Sequence, residues 1–318
     1  MNKTISAVVF PGQGSQRHGM GLDFYNTFLD AKLCFEEASD ALGWDVAALC
    51  FGDDPLLHMT EYAQPCILTT EIAMYQSLVN RFPFSPSYFG GHSLGEYTAL
   101  VAAGVVPLND AVKIVNARGK LMQIACPEGI GGMAALISDD INMGDLRDLI
   151  WGLDVDIANI NSENQIVLSG DTTALKTIER KLSHSSMGKG IRFVPLTVSA
   201  AFHSRFMAVI KEDFKEILLH FSNSFNFKNA HTVTSNFRGG FHSTKATEVL
   251  NDLVSQIAAP VNWLENMDML SGRATNIIEV GPGRPLRAFF NSKGINCLSL
   301  TTVVSVERTF GIRETMAC

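Results

Sequence analysis

Residues 88–100 read YFGGHSLGEYTAL, so Ser93 stands between Gly91 and Gly95 in a G-x-S-x-G pattern, behind a short aromatic stretch and ahead of a helical run. A serine raised on a sharp strand-to-helix turn takes a strained backbone, and the residues two before and two after it must lack side chains that would collide. The two glycines meet that demand. Such a turn needs a strand that ends there and a helix that starts there, which points to a fold of alternating strands and helices. It also sets Ser93 at a helix N-terminus, where unpaired N–H groups and the positive end of the dipole favour negative charge, with the Leu94 N–H as a natural oxyanion donor. A helix-capping serine fits the same five residues, and the pattern by itself leaves both readings open.

The rest of the chain extends the alternation. A length of 318 residues suits a large domain carrying a smaller one. The run AVVF (7–10) reads as a buried strand closing at Pro11-Gly12; helices are expected over 31–42, 61–80 with Pro65 in the first turn, the stretch from Ser93 to a stop at Gly104, and 109–124. At Pro127 the texture changes. Strands GMAALI, DVDIANI, QIVLSG and RFVPLTV, with helices near 143–150 and 173–183, give the order βαββαβ of a ferredoxin-like unit. Beyond Ala200 come a helix over 206–219, a strand near AHTVTSN, a helix over 248–257 and a strand NIIEV. The expected fold class is therefore α/β: residues 1–127 and 198–318 build a domain with a mainly parallel sheet, and residues 128–197 form an inserted small domain riding on one edge. The stretch 301–318 has no clear assignment.

Composition removes several function classes. A formal net charge of −7 disfavours nucleic acid or an anionic membrane as partner, because both need a positive field. The longest nearly apolar run, 99–108, is about half a bilayer span and is broken by Gly104 and Pro107. The first sixteen residues hold too short an apolar run for a secretory signal, so the cytoplasm is the expected compartment. The six cysteines are scattered without metal-ligand spacing and read as reduced thiols, with no metal site. Lys176, Arg180, Lys181, Lys189 and Arg192, against Glu179 alone, are either a solvated helix face or a patch for an anionic partner.

A catalytic serine needs a base, and eight histidines compete. His92 adjoins Ser93 and should point away as a structural residue. His203, in VSAAFHSRF, lies where the chain re-enters the main sheet, and can be a base or a capping or core residue; His18, His58, His184, His220, His231 and His242 sit in weaker contexts. The turns PGQGSQ and GPGRPL lack the Lys-Ser/Thr ending of a phosphate loop and the third glycine of a dinucleotide fingerprint, Leu286 standing in its place. Both read as tight turns that bring backbone close to a site, where Gln13 offers a second main-chain N–H. Arg118, in NARGKLMQ on the helix after the elbow helix, lies in a segment otherwise rich in apolar residues, and half-buried there it needs an anion, either a protein carboxylate or a substrate carboxylate held by a bidentate fork.

Taken in order, FPGQGSQ, AQP, GHSLGEY, RGKLMQ, NINSENQIVLSG, SAAFHS, QIAAPVNW and EVGPG resemble the malonyl-CoA:acyl carrier protein transacylase family over nearly the whole chain, and in particular its free-standing, trans-acting polyketide acyltransferases. The resemblance implies an α/β-hydrolase-like large domain with a ferredoxin-like insert, acting as a monomer. It implies Ser93 as acyl-accepting nucleophile, His203 as base held by a main-chain carbonyl near Gln256, Gln13 and Leu94 as oxyanion donors, and Arg118 as clamp for a malonyl carboxylate. Gln64, Asn161 and Gln256 match polar positions around the family's site, and Phe202 matches members that select malonyl over methylmalonyl. The implied partners are malonyl-CoA and an acyl carrier protein, the latter met by Lys176–Arg192 or by Arg284, Arg287 and Lys293, without a cofactor. An acyl hydrolase clearing carrier proteins and a non-catalytic acyl-CoA- or carrier-binding protein are the alternatives.

Overall fold

Residues Ser6–Phe10, SAVVF, form the first strand, β1, and its last four residues are wholly buried, the pattern of a strand covered on both faces. In the computed structural model, which describes residues 5–126, 129–139, 141–184, 188 and 190–311, nine further strands follow: β2 (Tyr88–Gly91), β3 (Gly131–Ile137), β4 (Val155–Ser162), β5 (Gln165–Asp171), β6 (Arg192–Pro195), β7 (Thr234–Ser235), β8 (Gly240–Phe241), β9 (Asn276–Val280) and β10 (Cys297–Leu300). The main sheet has the order β10-β9-β1-β2, every pair parallel. Val8, Phe10, Ile278 and Val280 face a core shared with Ile67, Leu68 and Ile72 of the helix Thr60–Arg81; Ala7, Val9, Ile277 and Cys297 face a second core with Trp263, Met267 and Phe290. The doubly covered sheet gives the large unit its α/β-hydrolase-like architecture.

Between β2 and β9 the chain builds the second sheet. Its order is β4-β5-β3-β6, antiparallel throughout, which is the ferredoxin-like arrangement of a βαββαβ unit. Alternation along its strands separates two faces. Ala134, Leu136, Ile166 and Leu168 pack beneath the helices Met143–Ile150 and Thr172–His184, through Leu146, Leu149, Leu175, Ile178 and Leu182. Met133, Ala135 and Val167 turn the other way into the main core. The insert therefore does not extend the edge of the parallel sheet. That edge is met by Val233, which bridges Phe89, while β4 joins the large unit through Val261 N–H to Ala158 O (2.8 Å) and Ile160 N–H to Val261 O (3.0 Å).

Some sequence expectations shift locally. The strand expected over RFVPLTV stops at Pro195, and that expected near AHTVTSN shrinks to Thr234–Ser235 because the Asn236 N–H donates to the Glu96 carboxylate instead of a ladder. The helix expected over 206–219 opens as the 3₁₀ turn Arg205–Ile210 before the α-helix Lys211–Phe221. In the unassigned C-terminal stretch, the helix Val303–Phe310 is capped by Thr302 and stacks Phe310 on Phe82. Pro127, Lys189 and Cys318 lie outside the described residues. Among the described residues no helix is long and apolar enough to cross a membrane.

The parallel order places the turns after β9, β1 and β2 side by side at the carboxyl ends of adjacent strands, where α/β sheets open a crevice. These are the turns GPG, PGQG and GHSLG. Their approach is backbone against backbone: a Cβ on Gly12 would lie 2.4 Å from the His92 carbonyl oxygen, and one on Gly95 would lie 2.2 Å from that of Phe10. Neither contact can relax by a side-chain rotation. Gly95→Ala is accordingly expected to destabilise the fold by about 1–3 kcal/mol, the usual cost of overpacking a rigid site; urea unfolding of the variant beside wild type measures it, and an unchanged midpoint would contradict the packing described.

Candidate active site

Ser93 (φ 53°, ψ −102°) and His203 (φ 56°) are, among the described residues, the only non-glycine positions with positive φ. Strain of this kind persists only where the surroundings enforce it. Around Ser93, Asn236 does so: its Oδ1 accepts the Ser93 N–H at 2.6 Å and its Nδ2 donates to the Gly91 carbonyl at 2.7 Å. Ser93 Oγ lies 2.7 Å from His203 Nε2, and His203 Nδ1 lies 2.8 Å from the Gln256 main-chain oxygen. A carbonyl only accepts, so Nδ1 carries the proton and Nε2 presents its lone pair to the serine hydroxyl. Burial, and then the nearby Arg118 charge, push the His203 pKa down to about 3, which keeps the imidazole a free base.

Arg118, on the helix Leu108–Ala125, is 1% exposed. Its Nη1 donates to Gln64 Oε1 (2.8 Å), and its Nη2 donates to Gln256 Oε1 (2.9 Å) and to Ser93 Oγ (3.2 Å). Among the described residues Nε has no hydrogen-bond partner, and the guanidinium carbon stands 5.3 Å from the centre of the Tyr97 ring. Each hydrogen-bond partner is neutral. Burial pushes the Arg118 pKa down, with Tyr97 and then Glu96 acting in the opposite sense. A full charge in such surroundings is costly without an anion in contact with it, and through Nη2 the guanidinium reaches the nucleophilic oxygen itself.

Five of the expected residues, Ser93, His203, Arg118, Gln64 and Gln256, thus form one hydrogen-bonded cluster. Gln13 joins through its side chain, 3.5 Å from Gln64 Nε2 and 3.2 Å from Thr60 Oγ1. Its turn is carried to the elbow by the Gly12–His92 approach. Leu94 is the first residue of the helix Leu94–Ala102, so its N–H lies among those without an acceptor inside the helix. Asn161 and Phe202 stand beside this cluster without a side-chain hydrogen bond to it among the described residues. Asn161 Oδ1 meets His92 Nε2 at 2.8 Å and Asn161 Nδ2 donates to Gln165, a link that steadies the elbow's flank. Phe202 is buried in the main core. His92 is seated between Trp263 and Phe289, and burial lowers its pKa.

Glu96 and Asn236 were not singled out from the sequence, and His242 was set aside among the histidines in weaker contexts. Glu96 lies wholly buried within the first turn of the elbow helix, accepting from Gln256 Nε2 (2.7 Å) and the Asn236 N–H (3.0 Å), with His242 Nε2 2.8 Å from its other oxygen. Its place three residues after Ser93 was a visible signal. His242, in FHSTKA, carried none.

The chain matches the acyl transferase domain family over residues 7–249. The malonyl CoA-acyl carrier protein transacylase of Bacillus subtilis is 39% identical over 283 residues, covering 87% of this chain and 68% of its own length; that of Staphylococcus aureus (strain MRSA252) is 36% identical over 321 residues, covering 99% of each. Two solved structures share the fold at full length. The malonyl CoA-acyl carrier protein transacylase of Clostridium perfringens superposes with a TM-score of 0.87 at 33% identity, covering 96% of either chain. A malonyl-transacylase in complex with its type II PKS acyl-carrier protein gives 0.86 at 30% identity, covering 97% of this chain and 99% of its own. With its serine elbow, two-sheet architecture and end-to-end likeness to these enzymes, the chain belongs to the malonyl-CoA:acyl carrier protein transacylase family of acyl transferases.

Proposed function

We propose that this chain moves a malonyl group from malonyl-CoA, through an ester on Ser93, to the phosphopantetheine thiol of an acyl carrier protein. One observation carries the reading: a buried guanidinium with only neutral hydrogen-bond partners stands 3.2 Å from the nucleophilic oxygen. An enzyme for plain acyl groups, or a hydrolase clearing them, has no use for that charge. A malonyl group supplies a carboxylate at the far end of the acyl chain, which Arg118 can take through a bidentate fork.

In the first half-reaction Ser93 Oγ attacks the thioester carbonyl while His203 Nε2 takes the hydroxyl proton. The oxyanion that forms is met by the Gln13 and Leu94 N–H groups. As the carbon–sulfur bond breaks, the imidazolium returns its proton to the CoA sulfur. The second half-reaction runs in reverse: the carrier's thiol gives its proton to His203, the sulfur attacks the malonyl-serine carbonyl, and Ser93 leaves as a hydroxyl. Thioester and ester exchange directly, so the proposal includes no cofactor. The substrate carboxylate also neutralises Arg118, easing the charge on His203 when the base must become cationic. Five free, buried cysteines among the described residues support the reducing cytoplasm as the compartment.

Arg118→Ala is expected to lose roughly 3–5 kcal/mol of malonyl transfer, about a hundredfold or more, while acetyl acylation survives. Intact-mass measurement of acyl-enzyme from each CoA ester checks this, and retained malonyl preference in the variant would sink the clamp. The same variant tests the base. Arg118 holds the His203 pKa down, so its removal lets that pKa rise, and the acid limb of acetyl-enzyme formation should move to higher pH than in wild type. Equal acid limbs would disconnect the two groups.

The carrier's surface also narrows. Lys293 is 2.8 Å from Asp268 and 3.6 Å from Glu163 and so leaves the basic group expected around it. Lys176, Arg180 and Lys181 are exposed on the helix covering the small sheet's outer face, away from the main core. Exposed Arg284 and Arg287 follow the Gly281 turn, which packs on Pro11 beside the site. They are our choice for meeting an acidic carrier. Reversing both to Glu should raise the carrier's KM several-fold with Ser93 acylation by malonyl-CoA unchanged; an unaltered KM would remove this surface.

A further inference from the structure

Gln256 does two things at once. Its main-chain oxygen fixes the proton on His203 Nδ1, and its side-chain oxygen, 2.9 Å from Arg118 Nη2, holds the guanidinium. A primary amide can turn over, exchanging oxygen for NH₂ with almost no change of shape. Turned over, it would set donors against the donors of Arg118. Some acceptor must therefore fix which way the amide faces.

We infer that Glu96 is a positioning residue for acyl selection: its carboxylate orients the Gln256 side chain so that the guanidinium is aligned to receive the acyl carboxylate. The inference rests on the acyl transfer proposed above and assigns a role to two buried residues that the transfer steps do not use. Glu96 Oε2 accepts from Gln256 Nε2 at 2.7 Å, and the same nitrogen reaches the Ser93 carbonyl at 3.0 Å. Both partners are pure acceptors, so the NH₂ is held toward the elbow and the oxygen is left for Arg118. Glu96 also takes the N–H of Asn236, the residue whose side chain grips the elbow backbone. One carboxylate thereby ties the nucleophile's backbone to the clamp's orientation.

The carboxylate is itself supported from behind. His242, whose side chain is wholly buried, places Nε2 2.8 Å from Glu96 Oε1 and Nδ1 3.3 Å from Asp252 Oδ2. Burial opposes a charge on this imidazole, but the hydrogen bonds to Asp252 and Glu96 outweigh it and its pKa stands above the ordinary value. Asp252 is bound in turn by Arg238 Nε, and Arg238 also meets Glu248 near the surface at 3.3 Å. Basic and acidic side chains alternate from the protein surface to the edge of the site. The second oxygen of Glu96 is thus held by a buried imidazole, which leaves the first for Gln256 and Asn236.

The test is the ratio of malonyl to acetyl acylation rates of Ser93, read by quenched intact-mass measurement on the full chain. In Glu96→Gln the shape is kept and the fixed acceptor is lost, so the ratio should fall about tenfold, because acetyl has no carboxylate to misalign. A role confined to stability would lower both rates together. An unchanged ratio, whatever the absolute rates, overturns the inference. Should that variant fail to fold, His242→Gln is read in its place, with a fall of about threefold expected and an unchanged ratio again overturning it. Wild-type acylation by malonyl-CoA in the same run reports on the transfer reading itself, and the variants' ratio reports on Glu96 alone.

Discussion

A guanidinium enclosed by protein and satisfied only by amide oxygens, a hydroxyl and an aromatic face is the constraint on which the rest of this structure turns. Burying such a charge without an anion in direct contact costs several kcal/mol, and the nearby carboxylate of Glu96 reaches it only through Gln256. Three elements combine to hold it: Gln64 from the long helix packed on the parallel sheet, Gln256 from the end of the helix Ala246–Gln256, and Tyr97 from the elbow helix. The residue that holds the guanidinium also fixes the tautomer of the base. Substrate choice and proton transfer are thus joined through a single side chain and its own carbonyl.

The scaffold explains how these groups come within reach. Parallel strands deliver three glycine turns to one edge, and main chain touches main chain there because no Cβ intervenes. The second sheet shares the principal core through its inner face, so it is bound to the catalytic unit and does not hang from it. Two strained residues face one another across this edge, on segments 110 residues apart, and each is held by hydrogen bonds from the segment between residues 236 and 256.

Much of this could be read in the residues. The elbow announced itself because sterics demand glycine on both sides of Ser93. The βαββαβ order was visible because short, largely apolar strands are separated by two strongly amphipathic helices. Arg118 was conspicuous as a charge on the apolar face of its helix, in step with Ala111, Ile114, Val115 and Met122. What stayed hidden depends on long-range contacts. Nothing near His242 betrays that it will stand between two acids, one of them 146 residues away. Asn161 matched a site position by resemblance yet is drawn to His92, a choice made by the docking of the small sheet and not by local sequence. Likewise the strand expected near Val233 is curtailed because Asn236 is needed at the elbow, a demand that strand propensity cannot express.

The most direct examination of this picture is a crystal structure of the enzyme trapped after brief exposure to malonyl-CoA. The ester should sit on Ser93 Oγ, with the acyl chain's free carboxylate within hydrogen-bonding distance of both terminal nitrogens of Arg118. An ester on another residue, or a carboxylate turned away from Arg118 into solvent, would contradict it.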